Sequence, residues 1–243
     1  MFDAKMEKDV MFTNSKGRKL HGVVTIPDSE NFPIVIICHG YASNTKSKTR
    51  SALSRQLLEK GIASFGFDFT GCGESEGELY QLTITQGIDD LNAAFNFVKN
   101  IENVDKNKIA LLGSSFSGSV AVLFAAEKDL KVLALKSPVS DYSGIKEVPL
   151  VARNKQQQFF DDSAKYDIYK TAEKIKTPTI IVHGSNDVDV PVEQSKELIK
   201  HLNCEKKLEI IEDADHRYSD ANHFEQLINL VSDWVLNKIN WHN

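Results

Sequence analysis

A serine at the apex of a predicted sharp turn is the residue of this chain best suited to chemistry. Ser115 lies in the segment GSSFSG at 113–118, after the apolar run 108–112 and before the helix-compatible run 119–126. A serine hydroxyl is a weak nucleophile unless it is exposed and paired with a base, and a strand-turn-helix connection supplies the exposure. This arrangement predicts a nucleophile at Ser115.

The turn departs at one position from the pattern G-x-S-x-G. Gly113 and Ser115 fit it, whereas Ser117 occupies the last glycine position and Gly118 follows one residue later. We expect the Ser117 side chain either to reflect looser packing or to form a local hydrogen bond. A small-residue turn that packs a helix against a strand has a similar pattern, so other residues must decide whether the turn is catalytic.

Length and composition are those of an ordinary globular protein. The chain has 243 residues, 41% hydrophobic and 26% charged, and can bury a core without disulfides. Its net charge of -5 and the lack of a basic run argue against a nucleic acid partner. Cys38, Cys72 and Cys204 are too widely spaced for a disulfide framework or a metal site, and free thiols fit a cytoplasmic location. Because residues 1–9 are polar, we expect no signal peptide there, and no apolar run is long enough to predict a membrane span.

Apolar runs that alternate with amphipathic segments predict an α/β fold with a mostly parallel sheet. The expected central strands are 34–38, 62–67, 109–112, 132–135, 179–182 and 208–211. The expected helices are 46–60, 83–100, 119–126, 191–203 and 221–239. Residues 7–13 and 19–26 predict an antiparallel hairpin at the N-terminal edge of the sheet. Because residues 138–176 break the alternation, we expect a small cap insertion there, within a single domain that covers 1–243.

The first polar residues to inspect are those that follow the strand at 34–38, because ligands collect at the carboxyl ends of such strands. His39, Gly40 and Tyr41 come next in the chain. A glycine lets the backbone turn sharply, so the Tyr41 N–H and the N–H of Phe116 are expected to hold a developing oxyanion. The alternative is a plain strand end with His39 hydrogen-bonded in the core.

A candidate acid and a candidate base follow the last two strands. Asp187 lies in the turn after 179–182, and His216 lies in the loop after 208–211. Asp187 would orient the imidazole and His216 would act as general base, with Asp189 as the competing acid. Each aspartate alone is also a common turn residue. The order nucleophile, acid, histidine is that of an α/β-hydrolase, and it favours a catalytic turn at Ser115.

Taken together, these stretches resemble the α/β-hydrolase superfamily over residues 7–240. The resemblance is to the serine-aminopeptidase-like branch, which includes bacterial cinnamoyl and feruloyl esterases and carboxylesterases. The matching stretches are 39–41, 68–75, 113–118, 183–187 and 214–220. The resemblance implies an α/β-hydrolase fold, Ser115, Asp187 and His216 as the catalytic triad, and oxyanion donors at Tyr41 and Phe116.

The expected activity is that of a serine carboxylesterase. It would cleave small to medium acyl or cinnamoyl-type esters through an acyl-enzyme, with no metal or cofactor. Four aromatic residues of the cap are candidates for the acyl pocket, or alternatively for packing the cap onto the domain: Phe159, Phe160, Tyr166 and Tyr169. The expected partner is a small-molecule ester, with a homodimer as an option.

Two other functions remain open at this point. A peptidase or amidase would use the same triad, and an acidic pair such as Asp161 and Asp162 would favour it by holding a substrate amine. A non-catalytic binding protein on the same scaffold usually lacks a triad residue, whereas every triad position is filled here.

Overall fold

A sheet of eight strands lies at the centre of the computed structural model, which describes residues 7–145 and 147–239. The strands are β1 (Glu7–Thr13), β2 (Lys19–Thr25), β3 (Phe32–Cys38), β4 (Ala63–Phe67), β5 (Val104–Ser114), β6 (Val132–Lys136), β7 (Thr179–Gly184) and β8 (Lys206–Ile211). Their spatial order is β1-β2-β4-β3-β5-β6-β7-β8. The strands from β4 to β8 in this order pair in parallel, and β1 and β2 add two antiparallel pairings at the edge. The predicted fold class, with its antiparallel N-terminal hairpin, is confirmed.

Seven α-helices accompany these strands within the described residues. They are α1 (Lys48–Leu58), α2 (Ile84–Lys99), α3 (Phe116–Ala125), α4 (Arg153–Ser163), α5 (Ile168–Ala172), α6 (Val192–His201) and α7 (Ala221–Ile239). The first two have side-chain caps, because the hydroxyls of Ser47 and Thr83 accept hydrogen bonds from the amides of Arg50 and Gln86. No helix of the described residues is both long enough and apolar enough to cross a membrane.

Two hydrophobic layers cover the two faces of the sheet. Alternate residues of a strand point to opposite faces, so Ile34 and Ile36 pack with α2 and α3, whereas Val35 and Ile37 pack with α1 and α7. The helix α3 is buried along its whole length. The carboxyl ends of the parallel strands therefore form a rim that is fixed from both sides.

Two elements differ from the sequence-based expectation. β5 begins at Val104 instead of residue 109, because Val104 pairs with Phe32 before a register shift and carries the polar stretch 105–108 into the strand. The helix after the sharp turn begins at Phe116 instead of residue 119. The second difference matters for the site, because it places the first amide of α3 next to Ser115.

The segment 138–176 between β6 and β7 contains α4 and α5. Phe159 of α4 is 5% exposed and packs edge-on against the ring of Tyr41, with centroids 5.7 Å apart. It also lies 6.2 Å from the ring of Phe116. The segment is thus attached directly to the two residues that flank Ser115 in space.

Candidate active site

Ser115 lies at the junction of β5 and α3 in a strained backbone conformation. Its φ of 54° and ψ of -116° place it among the left-handed conformations that cost energy for any residue other than glycine. The Ser115 N–H donates to the carbonyl of Lys136 at 2.9 Å, and its carbonyl accepts from the N–H of Val139 at 3.1 Å. These bonds tie the strained turn to the end of β6 and to the segment that follows it, with Ser115 at the rim of the sheet.

Ser117 shows why a serine is accepted where the elbow pattern has glycine. Its hydroxyl accepts the Ser114 N–H at 2.7 Å and lies within 2.9 Å of the Cys38 carbonyl and 3.0 Å of the Ser114 carbonyl. The side chain is fully buried, so local hydrogen bonding, not looser packing, accommodates it. Gly113 remains necessary, because a Cβ there would lie 2.5 Å from the carbonyl oxygen of Ser117.

Three side chains form a hydrogen-bonded chain at this rim. His216 Nδ1 lies 2.6 Å from Asp187 Oδ2, and His216 Nε2 lies 3.1 Å from Ser115 Oγ. A carboxylate only accepts hydrogen bonds, so Nδ1 carries the proton and Nε2 is free to accept the serine proton. The structure thus brings together the three residues predicted from the sequence, and it excludes Asp189 from the acid position.

Asp187 is held in its ionised form by four donors. Its Oδ1 accepts the N–H groups of Asp189 and Val190 at 3.0 and 2.8 Å. Its Oδ2 accepts from His216 and lies 3.1 Å from Nε2 of a second buried histidine, His183. Burial opposes ionisation, but the hydrogen bonds from both imidazoles and from the Val190 amide outweigh it and hold the pKa of Asp187 well below its usual range.

A close backbone approach brings the acid and base loops together. A Cβ on Gly184 would lie 2.2 Å from the carbonyl oxygen of Ala214, so only glycine lets β7 end against the loop that follows β8. The Asn186 N–H donates to the same Ala214 carbonyl at 3.0 Å. As a result Asp187 and His216 start from adjoining segments of backbone.

Residues that sequence reasoning missed hold the loop of His216 in place. Lys136 Nζ donates to the His216 carbonyl at 3.0 Å, and Lys48 Nζ donates to the Tyr218 carbonyl at 2.7 Å. Tyr218 is fully buried, and its hydroxyl lies 3.3 Å from the Val182 carbonyl. In the sequence, the only indication of these residues was the position of Lys136, a lone cation directly after the apolar run 132–135.

The turn after β3 lies against the serine in the manner expected of an oxyanion-binding turn. A Cβ on Gly40 would be 3.3 Å from Ser115 Cβ, so the backbone that carries the Tyr41 N–H passes directly beside the nucleophile. The Phe116 N–H belongs to the first residue of α3, where helix geometry leaves amides without an intrahelical acceptor. Both amides stay candidates for holding an oxyanion.

His39 is a core residue that also shapes this turn. Its Nδ1 donates to the Gly40 carbonyl at 2.7 Å, and its Nε2 accepts the Phe69 N–H at 3.1 Å. Burial lowers the pKa of His39, so the ring is neutral. The hydrogen bonding of His39 in the core, which the sequence suggested, is thus present in the structure.

A cavity of about 880 Å³ opens over Ser115 and His216. Its wall includes Ser115 and His216, the turn at 40–45, the first turn of α1, and apolar residues of the cap such as Val148 and Phe159. A cavity of this size suits a small organic substrate. Among the described residues, no group of three or more histidine, cysteine, aspartate or glutamate side chains is arranged to hold a metal ion.

Of the four aromatic residues proposed for the acyl pocket, the structure places Phe159 in the cavity wall and the other three elsewhere. Phe160 packs edge-on against Phe159. The Tyr166 hydroxyl lies 2.7 Å from Thr85 Oγ1, and the Tyr169 ring stacks on His201. These three residues therefore have packing partners outside the cavity wall over Ser115, which agrees with the packing alternative.

Comparisons with known proteins agree with the fold. The sequence model of the prolyl oligopeptidase family matches residues 50–242. The uncharacterized protein YfhR of Escherichia coli O157:H7 is 26% identical over 236 residues, which cover 92% of this chain and 80% of YfhR. The structure of Est1E from Butyrivibrio proteoclasticus with ferulic acid bound has a TM-score of 0.85 at 23% identity, covering 96% of this chain and 100% of Est1E. The α/β hydrolase GrgF from Penicillium sp. sh18 has a TM-score of 0.82 at 21% identity, covering 97% and 99%.

Proposed function

Since the chain belongs to the prolyl oligopeptidase family, we propose that it is a serine hydrolase and that its substrates are carboxylic esters. The observation that carries this proposal is the hydrogen-bonded chain from Asp187 through His216 to Ser115. The strained turn at Ser115 and the cavity above it support the same conclusion, because a nucleophile must be both activated and accessible.

The proposed reaction proceeds in two stages. Ser115 Oγ attacks the ester carbonyl while its proton passes to His216 Nε2, and the resulting imidazolium is stabilised by the Asp187 carboxylate. His216 then gives that proton to the departing alcohol, which leaves an acyl group on Ser115. Water, deprotonated by His216, attacks the acyl-enzyme, and the carboxylic acid product is released with Ser115 restored.

The negative charge of each tetrahedral intermediate would be stabilised by the amides of Tyr41 and Phe116. Loss of one such donor typically costs about 10²- to 10³-fold in rate. His39 would act as a positioning residue for this pair, because its hydrogen bond to Gly40 fixes the turn from which the Tyr41 amide projects.

Replacement of the nucleophile tests the proposal. We expect Ser115→Ala to abolish turnover of p-nitrophenyl acetate and butyrate while the circular dichroism spectrum stays unchanged. Ser114→Ala is the matched control, because its side chain is adjacent but forms none of the triad hydrogen bonds. Wild-type turnover by Ser115→Ala would refute the proposal.

A peptidase is the second candidate, because the matching family is one of oligopeptidases. An acidic pair that holds a substrate amine would favour a peptidase, but both aspartates already have partners. Asp162 accepts two hydrogen bonds from Thr85 and pairs with Lys165, and Asp161 accepts a hydrogen bond from Gln157. Neither aspartate lies in the cavity wall. We therefore expect p-nitrophenyl butyrate to be cleaved with a much higher kcat/KM than aminoacyl naphthylamides, and the reverse ranking would favour the peptidase.

A further inference from the structure

Lys136 is a buried cation in the wall of the catalytic cavity. It is the last residue of β6, its side chain is 7% exposed, and it lines the same cavity as Ser115. Its ammonium group donates to the His216 carbonyl at 3.0 Å and lies 4.9 Å from the centre of the Tyr218 ring. Both of these partners are uncharged.

This ammonium group lacks a direct ionic partner in the described part of the chain. No carboxylate oxygen there lies within 4.0 Å of Lys136 Nζ, although the charges of Asp187 and Asp215 act on it from a greater distance. Burial lowers the pKa of Lys136 to about 8, so most of the group is still charged at neutral pH. A buried charge is costly unless it is paired, and an ammonium group has three donors, of which the His216 carbonyl takes one, so an anionic ligand in the cavity would pair with it favourably.

Other cations line the same cavity as Lys136, while the carboxylates of Asp187 and Asp215 offset part of the positive charge there. Lys48 is at the first position of α1, and the cavity is lined by residues 47–50 of that first turn, where the helix dipole favours anions. Arg217 also lines the cavity and is exposed. Arg50 contributes less, because it pairs with Glu7.

The acidic residues of the wall belong to other segments. Glu147 lies in the cap and pairs with Arg153, and Asp189 lies in the loop after β7. The cation cluster of Lys48, Lys136 and Arg217 adjoins the loop that carries the general base, and Asp215 of that loop is the carboxylate whose charge acts on both Lys48 and Lys136. In the proposed reaction His216 protonates the departing alcohol, so the alcohol half of the ester faces this loop.

We propose that the enzyme selects esters whose alcohol half carries a carboxylate, and that Lys136, assisted by Lys48 and Arg217, binds this carboxylate. The inference rests on the proposed function and adds the substrate class. The covalent steps are unchanged: the anionic alcohol leaves with the proton from His216, and its carboxylate takes no part in bond making or breaking.

A matched pair of acetate esters tests the selectivity. 4-Acetoxybenzoate carries a carboxylate on the leaving phenol, and 4-acetoxybenzamide is its neutral counterpart of similar size. We expect kcat/KM of the wild type to favour the benzoate by at least about tenfold, because a hydrogen bond to a charged group contributes on the order of this factor. The preference should weaken as the salt concentration rises.

Lys136→Met should remove this preference, whereas Lys200→Met, a surface change at a Glu197 pair, should retain it. The ratio of the two substrates is the readout, because displacement of the His216 loop alone would slow both equally. An equal ratio in wild type and Lys136→Met, or a wild-type preference for the amide, would overturn the proposal.

Binding of the products separates this inference from the proposed function. Calorimetry on Ser115→Ala needs no turnover, and we expect 4-hydroxybenzoate to bind at least about tenfold more tightly than 4-hydroxybenzamide. Equal binding would refute the carboxylate site even if the protein is an esterase. Tighter benzoate binding by a protein that cleaves no ester would refute the esterase and leave the carboxylate site in place.

Discussion

At the scale of single residues, the Asp187 carboxylate serves two imidazoles at once. Oδ2 faces His216 Nδ1 at 2.6 Å and His183 Nε2 at 3.1 Å. His183 is fully buried, and its Nδ1 lies 2.6 Å from Ser195 Oγ. Its Nε2 also lies 2.9 Å from the Val190 carbonyl, so the N–H is shared between that carbonyl and Asp187 Oδ2, which makes His183 a positioning residue for the acid.

Removal of the His183 donor should weaken the triad without removing any of its members. We expect His183→Phe to lower kcat by about tenfold or more, since a hydrogen bond to a charged group is lost. His183→Gln, which restores a donor near the Nε2 position, should recover part of the rate. Steady-state kinetics with both variants checks this, and equal losses in the two would contradict a positioning role.

The choice of acid is tested by two amides. Asp187→Asn should lower kcat by roughly 10⁴-fold, because an amide no longer holds His216 in the tautomer that accepts the serine proton. Asp189→Asn should have little effect, since only the backbone N–H of Asp189 reaches the triad. Measured on p-nitrophenyl butyrate, the opposite ranking would overturn the assignment.

The hydrogen-bonded chain of Ser115, His216 and Asp187 was predictable from the sequence, because each member lies in the turn or loop that follows an apolar strand. Lys136 and His183 were not, because their roles depend on which loops lie across the rim. His183 is followed by a glycine and resembles an ordinary strand end in the sequence. Only the approach of Val190, Ser195 and Asp187 gives its ring three partners.

At the scale of elements, the antiparallel edge is joined to the parallel sheet through His21 of β2. Its Nε2 lies 2.9 Å from Asp9 Oδ1 of β1, and its Nδ1 lies 3.0 Å from Asp68 Oδ2, just after β4. Asp68 also accepts the N–H groups of Thr45 and Glu74. One imidazole therefore connects the hairpin to loops that adjoin the cavity.

His21 should make stability depend on pH. Burial lowers its pKa, but the hydrogen bonds to Asp9 and Asp68 outweigh burial and raise the pKa above 6.5. A raised pKa in the folded state means that this stabilisation is complete below the unfolded pKa and is lost as the pH rises through the folded value.

Urea unfolding of the wild type and His21→Gln from pH 5.5 to 9 checks this prediction. The wild type should have a larger free energy of unfolding than the variant. This difference should be largest near pH 5.5 and should shrink as the pH rises. His39, whose pKa is lowered, contributes equally to both proteins. A difference that stays constant or grows with pH would contradict the role of His21.

Most of the sheet and the longer helices were predictable from periodicity, because their buried positions recur regularly. α4 and α5 were not, because α4 is mostly polar and buries Phe159 through contacts with Tyr41, Phe116 and Tyr142 of other elements. The start of α3 was also missed. The small residues after Ser115 suggested a longer turn, but Ser115 alone makes the turn and the helix begins at the next residue, Phe116.

At the scale of the whole molecule, the cavity lies where both hydrophobic layers reach the rim of the sheet. Ile37 and Leu112 come from the layer under α1 and α7, and Val148 and Phe159 come from the layer under the cap. The groups proposed to react thus lie where two hydrophobic layers meet. This arrangement fits a preorganised site, in which the serine, its base and the amides of the turn need little movement to react.

The central claim is that Ser115 is an activated nucleophile, and covalent labelling with a fluorophosphonate tests it most directly. We expect the wild type to take up one probe molecule per chain, with the label on the peptide that contains Ser115 by mass spectrometry. His216→Ala should label far more slowly, because the base is absent. An unlabelled wild type, or a label on another residue, would contradict the claim.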